Sequence, residues 1–211
     1  MGRGRRRRSE GAAGAWRRAG LAVSLVAVIP NVAAVQTGFG PRTAQVGAAV
    51  TLIGGAAAQG LHDLCFGTLP RGQARDLPAP QAPQGTRPTV SGTCLQPHWA
   101  VFLLRNIRDN RRYRVTFSLP SALTNGANSV SISFGGTQYG YTCVVRNSTT
   151  CLFETNFNPT VTYLIDLPNL PGQGFDVYVF LGGRVPATGT IPSTTPPGLY
   201  TGTITLTLQR I

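Results

Sequence analysis

The feature that most restricts the fold is a set of short segments in which apolar and polar residues alternate. In the last of them, LYTGTITLTLQRI, the apolar residues Ile204, Leu206 and Leu208 alternate with threonines. Successive side chains of a strand point to opposite faces of a sheet, so this pattern predicts a strand with one buried and one solvated face. The Pro-Pro-Gly sequence at 196–198 favours a turn, and the strand is predicted to begin near Leu199.

The same period of two recurs in earlier segments that are separated by glycine and proline turn signals. The pattern predicts an all-β fold, an antiparallel β-sandwich of two sheets packed over one core, with a closed barrel as the alternative. The continuous apolar run from Trp99 to Leu104 predicts a central strand buried on both faces. The alternating segments are residues 46–52, 113–119, 130–134, 161–167 and 175–181.

The amino-terminal residues carry a targeting pattern. A basic stretch through Arg18 is followed by an apolar run of about 11 residues, Ala19–Ile29, and by small residues ending at Ala34. This pattern predicts a signal peptide, residues 1–34, cleaved after Ala34. A retained anchor is the alternative, although a membrane span needs about 20 apolar residues. The pair Arg17-Arg18 leaves the twin-arginine route open.

The rest of the chain is predicted to be a short amino-terminal segment, residues 35–43, and one β-sandwich domain, residues 44–211. The formal charge of +12 suggests a nucleic-acid partner until its distribution is considered. Removal of residues 1–34 leaves twelve arginines and six acids, or about +6. We therefore expect an exported protein in the periplasm, at the cell surface or outside the cell. We expect no cytosolic nucleic-acid partner and no transmembrane segment after cleavage.

All four cysteines lie in the part that would be exported, which favours two disulfides. Three pairings are possible. The separation of eight residues between Cys143 and Cys151 favours a bridge across a hairpin loop, which leaves Cys65 to pair with Cys94. The second bridge would tie together the two ends of a long irregular connection rich in proline, residues 70–97.

The same region contains the one pattern typical of a metal site. His62 and Cys65 at one end, with Cys94 and His98 at the other, match the residue types of a tetrahedral zinc site. Oxidation competes for both thiols in an exported chain, so the disulfide is favoured and no metal or cofactor is predicted. The two histidines are then expected at the surface beside the bridge.

Three segments resemble an uncharacterised family of bacterial secreted β-sandwich domains that have a D-F-G-T-like start and a P-G-x-Y-x-G-T final strand. The segments are Leu64–Leu69, Tyr113–Pro120 and Pro197–Thr203, and the resemblance covers residues 44–209. Similar endings occur in spore-coat protein U-like and chaperone-usher pilin domains. The resemblance implies an immunoglobulin-like sandwich with a surface or fimbrial role, and it supplies no catalytic residues. The chain departs from the family in having Cys65 before Phe66 and a proline-rich stretch after Leu69.

Likeness to pilins also implies that a fimbrial subunit could assemble by strand donation, in which an extended amino-terminal segment completes the next subunit. Residues 35–45 contain two glycines and a proline, which do not favour such a donor. Residues 46–52 are more simply the domain's own first strand. Strand donation is kept as an alternative.

Five arginines fall within ten residues and are the candidate anion-binding residues. They could present guanidinium groups to an anionic polysaccharide, or they could protect a hairpin and its edge from pairing with neighbouring chains. These residues are Arg105, Arg108, Arg111, Arg112 and Arg114.

The sequence offers little that would support catalysis. It has no nucleophile elbow, no metalloprotease motif and no phosphate-binding loop, so we expect that the protein is not an enzyme. Asp166 and Asp176 could face each other across a hairpin, but both lie at polar positions of alternating segments. Four aromatic residues around the second disulfide could stack on sugars or pack in the core, and core packing is favoured. They are Tyr139, Tyr141, Phe153 and Phe157.

Taken together, these patterns predict an exported structural or adhesion protein without catalytic activity. A carbohydrate- or anion-binding module is the first alternative, and a pilin-type subunit is the second.

Overall fold

A computed structural model describes residues 42–53, 57–108, 112–167 and 174–211. The predicted signal peptide and most of the predicted segment 35–43 lie outside the described residues. Within the described residues the fold is all-β, as predicted. The strands are β1 Arg42–Ile53, β2 Ala57–His62, β3 Leu64–Thr68, β4 Arg75–Leu77, β5 Ala100–Arg108, β6 Arg112–Ser118, β7 Ala122–Asn125, β8 Asn128–Ser131, β9 Gly140–Val145, β10 Phe153–Phe157, β11 Tyr163–Asp166, β12 Gly174–Leu181, β13 Gly183–Val185 and β14 Gly198–Arg210, with a 3₁₀ turn at Thr137–Tyr139.

Most strands belong to two large sheets. The seven-stranded sheet has the order β11-β6-β14-β1-β3, with β7 paired to β14 and β8 paired to β7. The five-stranded sheet has the order β10-β9-β12-β5-β2, and β4 pairs with β13 in a small ribbon. One hydrophobic core contains residues of both large sheets, among them Phe102 and Val177 from one and Ile204 and Leu206 from the other. The arrangement is sandwich-like, with two layers over one core.

The final strand follows the predicted alternation and begins at Gly198, one residue before the predicted start. Ile204, Leu206 and Leu208 are buried, whereas Thr203 is exposed on the opposite face. β14 pairs antiparallel with β6 and parallel with β1, so it lies in the interior of its sheet. The chain end is therefore a structural member of the seven-stranded sheet.

The five-stranded sheet is buried on both faces near its centre. β5 lies between β12 and β2, and residues 100–104 are all buried, which confirms the prediction for this apolar run. All six residues of β9 are buried as well. A second hydrophobic cluster lies on the outer face of this sheet and includes Val101, Tyr141 and Phe180.

A proline-rich segment, residues 78–99, lies over that outer face, and we call it the cover. Trp99 packs its ring edge-to-face against Phe180 with a centroid separation of 6.3 Å, and its Nε1 donates to the Pro78 carbonyl at 2.7 Å. Gly182 allows the chain near the start of the cover to approach the sheet, since a Cβ there would collide with the carbonyl oxygen of Leu77. The cover therefore supplies packing, whereas the sequence suggested only an irregular connection tied at its ends.

Two predicted hairpins are wrong. β5 and β6, which carry four of the five candidate arginines, lie in different large sheets, and so do β11 and β12. Asp166 and Asp176 therefore do not face each other across a hairpin. Alternation predicts which side chains of a strand face the core. It does not predict whether the next strand follows in the same sheet, through a turn, or in the other sheet, through a crossover between layers.

Candidate functional site

Both predicted disulfides are formed. Cys65 bonds to Cys94 with a Cα–Cα distance of 5.3 Å, and Cys143 bonds to Cys151 with a Cα–Cα distance of 5.2 Å. The second bridge joins Cys143, within β9, to Cys151, near the end of the β9–β10 connection, and β9 and β10 form the predicted hairpin. No cysteine in the described chain is free, so the alternative of a zinc site with two thiolate ligands is wrong. Disulfides indicate an oxidising, non-cytosolic environment.

The five candidate arginines do not form one patch. Arg105 and Arg108 lie on β5 in the five-stranded sheet, whereas Arg112 and Arg114 lie on β6 in the seven-stranded sheet, and all four are exposed. Arg111 lies outside the described residues. Neighbours in sequence are thus divided between two layers of the fold.

On β6, Arg112 forms an ion pair with Asp166 of β11, with Nε to Oδ1 at 3.2 Å. Their side chains are 72% and 69% exposed, so water screens the pair and its contribution to stability is small. The second hypothesis for these arginines required a hairpin, which β5 and β6 do not form, and Arg112 instead contacts the edge strand β11.

On the other sheet, Arg105 borders a groove between the cover and the outer face of β5 and β12. The groove has a volume of about 280 Å³ and is also lined by Arg87, Val90, Tyr178 and Phe180. The guanidinium carbon of Arg87 lies 4.4 Å from the centre of the Tyr178 ring, which is a cation–π contact. Two guanidinium groups beside an aromatic ring form a surface suited to a planar or ring-shaped anion.

Sequence reasoning missed Arg87 and Tyr178 as members of this groove. Arg87 is held there by its backbone, since its amide donates at 2.7 Å to the carbonyl of Thr149, which lies in the loop closed by the second disulfide. In the alternating segment 175–181, Tyr178 lies on the face opposite the core-facing residues. This position is the one sequence feature that could have indicated an accessible ring. The contact joins residues that are far apart in sequence, and no local pattern encodes it.

Three of the four aromatic residues near the second disulfide are buried, which confirms core packing for Tyr139, Tyr141 and Phe157. Phe153 is 48% exposed. The Tyr141 hydroxyl donates to Oε2 of Glu154 at 2.9 Å, and burial, followed by this carboxylate, raises the pKa of Tyr141 above its ordinary value. Burial and a hydrogen bond to Asp76 likewise raise the pKa of Tyr139.

Glu154 also holds the cover in place. Its carboxylate accepts hydrogen bonds from the backbone amides of Gln84 and Gly85, the latter at 2.6 Å. One carboxylate thus connects the cover to the phenol of Tyr141 within the outer cluster. Its hydrogen-bonding partners give Glu154 a structural role.

Comparison of the chain with protein-family models finds no match, and comparison with curated proteins finds no significant match either. In the parts of the chain that the structure describes, no helix is long and apolar enough to cross a membrane.

Proposed function

We propose that this chain is an exported bacterial structural or adhesion protein of the cell surface or extracellular space, without catalytic activity. The observation that carries the proposal is the pair of disulfides within one sandwich-like fold. Such bridges persist in oxidising compartments, and the predicted signal peptide at residues 1–34 supports the same destination.

Cell fractionation tests this proposal. The full chain and a variant lacking residues 2–34 are expressed in a bacterium with a periplasm, and alkylation with a maleimide-polyethylene glycol reports free thiols on gels. We expect the full chain outside the cytosol with no reactive thiols, and the truncated chain inside the cytosol. A full chain that stays in the cytosol with four reactive thiols would refute the proposal.

A second candidate function is binding of an anionic carbohydrate. The groove beside Arg87 and Arg105 supports it, since an aromatic ring and two cations converge there on a rigid sheet. Acidic sugars offer a carboxylate or sulfate for the guanidinium groups and a ring that packs beside Tyr178.

The two faces of the molecule provide a charge-matched test. The variant R87Q/R105Q removes two positive charges from the groove between the cover and the five-stranded sheet, and the variant R112Q/R114Q removes two from the seven-stranded sheet. We expect retention on a heparin column to fall for R87Q/R105Q and to persist for R112Q/R114Q. Equal loss in both variants would show that only net charge matters and would contradict a groove site.

A third candidate is assembly by strand donation, in line with the proposed likeness to immunoglobulin-like pilin and spore-coat U domains. β1 lies between β14 and β3, and residues 54–56 are its link to β2. A first strand in the interior of a sheet can be exchanged between copies, since a second chain can supply the same hydrogen bonds.

Chains with one added cysteine each distinguish exchange from internal pairing. Ala49 of β1 and Thr205 of β14 are register partners, so one chain carries Ala49→Cys and a second carries Thr205→Cys. When both are co-expressed, donation between copies predicts a disulfide-linked dimer. Monomers alone would rule out donation, and a chain carrying both cysteines would then show an internal bond as the positive control.

A further inference from the structure

The two histidines of the chain lie side by side next to the first disulfide. The ring centroids of His62 and His98 are 6.4 Å apart, and their planes are nearly perpendicular at 81°. Each belongs to a different part of the chain, since His62 ends β2 and His98 lies next to the last residue of the cover.

The fold holds both histidines firmly. The backbone of His98 exchanges two hydrogen bonds of 2.9 Å with Cys65, whose side chain is bonded to Cys94. The pairing of β2 with β5 shifts register between Gly60 and His62, which marks a β-bulge. Bulges re-aim side chains and are frequent beside functional sites.

One of the two rings already has the electronic arrangement of a metal ligand. Nδ1 of His98 lies 3.0 Å from the carbonyl oxygen of Gln96, and because a carbonyl only accepts, Nδ1 carries the proton in the neutral ring. Nε2 of His98 is then the nitrogen with a free lone pair. Metal-binding histidines commonly donate their other N–H to a backbone carbonyl in this manner.

Both rings border a cavity of about 310 Å³, which Asp63 and Gln45 also line. The Asp63 carboxylate accepts from Nε2 of Gln45 at 2.7 Å and from the Ala48 amide at 2.9 Å, so its position is held and its negative charge borders the cavity. On its other side, His62 borders the groove that Arg87 and Arg105 line. A cation would therefore bind on the side of Asp63.

We propose that His62 and His98 bind one divalent transition-metal ion, with Cu²⁺ favoured over Zn²⁺ and water completing the coordination. A histidine nitrogen binds such an ion at about 2.0–2.1 Å, so two rings that share one ion have centroids no more than about 6.5 Å apart. The observed 6.4 Å lies at this limit, so an ion shared by both rings would have them on opposite sides, as in a tetragonal Cu²⁺ site.

Within the described residues, no group of three histidine, cysteine, aspartate or glutamate side chains is placed to hold an ion. The site therefore consists of two imidazoles, and Asp63 contributes charge. Nitrogen ligands and the Irving–Williams order favour Cu²⁺ over Zn²⁺ and over harder ions such as Mg²⁺ and Ca²⁺.

Calorimetric titration of the full, disulfide-bonded chain with CuCl₂ and ZnCl₂ tests the proposal, with no histidine tag added. We expect one ion per chain, tighter binding of Cu²⁺, and at least about tenfold weaker binding in His62→Gln or His98→Gln, because one of two linked ligands is lost. Asp63→Asn should weaken binding less, and its matched control Asp166→Asn on the other sheet should leave it unchanged. Equal binding by the double variant H62Q/H98Q would refute the site.

Electron paramagnetic resonance of the Cu²⁺-loaded chain supplies a readout that does not depend on the variants' stability. Since the chain has no other histidine, splitting by two imidazole nitrogens identifies this pair. Splitting by one imidazole nitrogen, or by none, would overturn the proposal.

Discussion

The two large sheets present very different outer faces, although both contribute alternate side chains to the same core. The outer face of the five-stranded sheet carries Tyr141 and Phe180 beneath the cover. The outer face of the seven-stranded sheet carries Thr201, Thr203 and Ser118, all exposed. The five-stranded sheet therefore requires the cover as an additional layer on its outer face, and the seven-stranded sheet requires none.

The difference shows what an irregular segment needs in order to act as a layer. A strand in a sheet satisfies its backbone through the ladder, whereas the cover combines isolated backbone bonds, such as those of Arg87 with Thr149 and of His98 with Cys65, with bonds to side chains. Asn156 accepts from the Ala82 amide at 2.9 Å and donates to the Pro80 carbonyl at 2.8 Å, while Glu154 accepts from Gly85. In the described residues no buried side-chain nitrogen or oxygen lacks a partner.

The largest effect is expected from Phe180→Ala, which removes the centre of the outer cluster. Phe180 is 1% exposed between Trp99 and Tyr141, so its loss should lower the free energy of unfolding by about 3–5 kcal/mol. Urea unfolding measures this change. The control Thr205→Ala, on the outer face of the other sheet, should stay within about 0.5 kcal/mol. Similar losses for both variants would remove the distinction between the two faces.

Variants that lack one disulfide each show how far the cover depends on its covalent anchor. Loop-closure entropy predicts a loss of about 3.5 kcal/mol for C65A/C94A and about 2.5 kcal/mol for C143A/C151A, since the first closes the longer loop. Limited proteolysis should cut within residues 78–99 more readily in C65A/C94A, because that bridge anchors the end of the cover. If C65A/C94A is cleaved outside residues 78–99 instead, packing alone holds the cover.

Glu154→Gln tests the carboxylate that links the cover to the sheet. The amide keeps one acceptor oxygen, and its NH₂ group faces either the Gly85 amide or the donors of Gln84 and Tyr141, so we expect a loss of about 1–2 kcal/mol. Hydrogen exchange should speed up at the amides of Gln84 and Gly85. The neighbouring variant Thr155→Ala, whose side chain is exposed, should change neither quantity.

Alkaline pH should destabilise the protein through Tyr141, whose pKa is raised by burial and by Glu154. An unfolded tyrosine loses its proton near pH 10, while the folded one keeps it. The unfolded state therefore binds fewer protons above about pH 10, and the free energy of unfolding falls by up to about 1.4 kcal/mol per pH unit. Tyr141→Phe should flatten this decline between pH 10 and 12. An unchanged slope in that variant would refute the assignment.

The smallest effect is expected from Asp166→Asn on the outer surface of the seven-stranded sheet. The ion pair with Arg112 is exposed, so its loss should cost no more than about 0.5 kcal/mol and should vanish at high salt. Thermal unfolding at low and high ionic strength measures it. A loss as large as that of Glu154→Gln would mean that this face is as tightly organised as the covered one.

Much of the fold could be predicted from local patterns. The final strand, the two-faced burial of β5 and both disulfide pairings follow from periodicity of two, from a continuous apolar run and from spacing between cysteines. The grooves and cavities could not be predicted in this way. Arg87 meets Tyr178, and His62 meets His98, only because segments distant in sequence pack together.

The arginine-rich segment shows most clearly where local sequence stops determining the structure. Its alternation determined that Tyr113 and Val115 point inward and that Arg112 and Arg114 point outward, because side-chain direction in a strand depends on local backbone geometry alone. Whether Arg105 and Arg114 share a face depended on which sheet each strand joined. Only the tertiary structure decided that, since hydrogen-bond partners between strands are chosen by packing over the whole core.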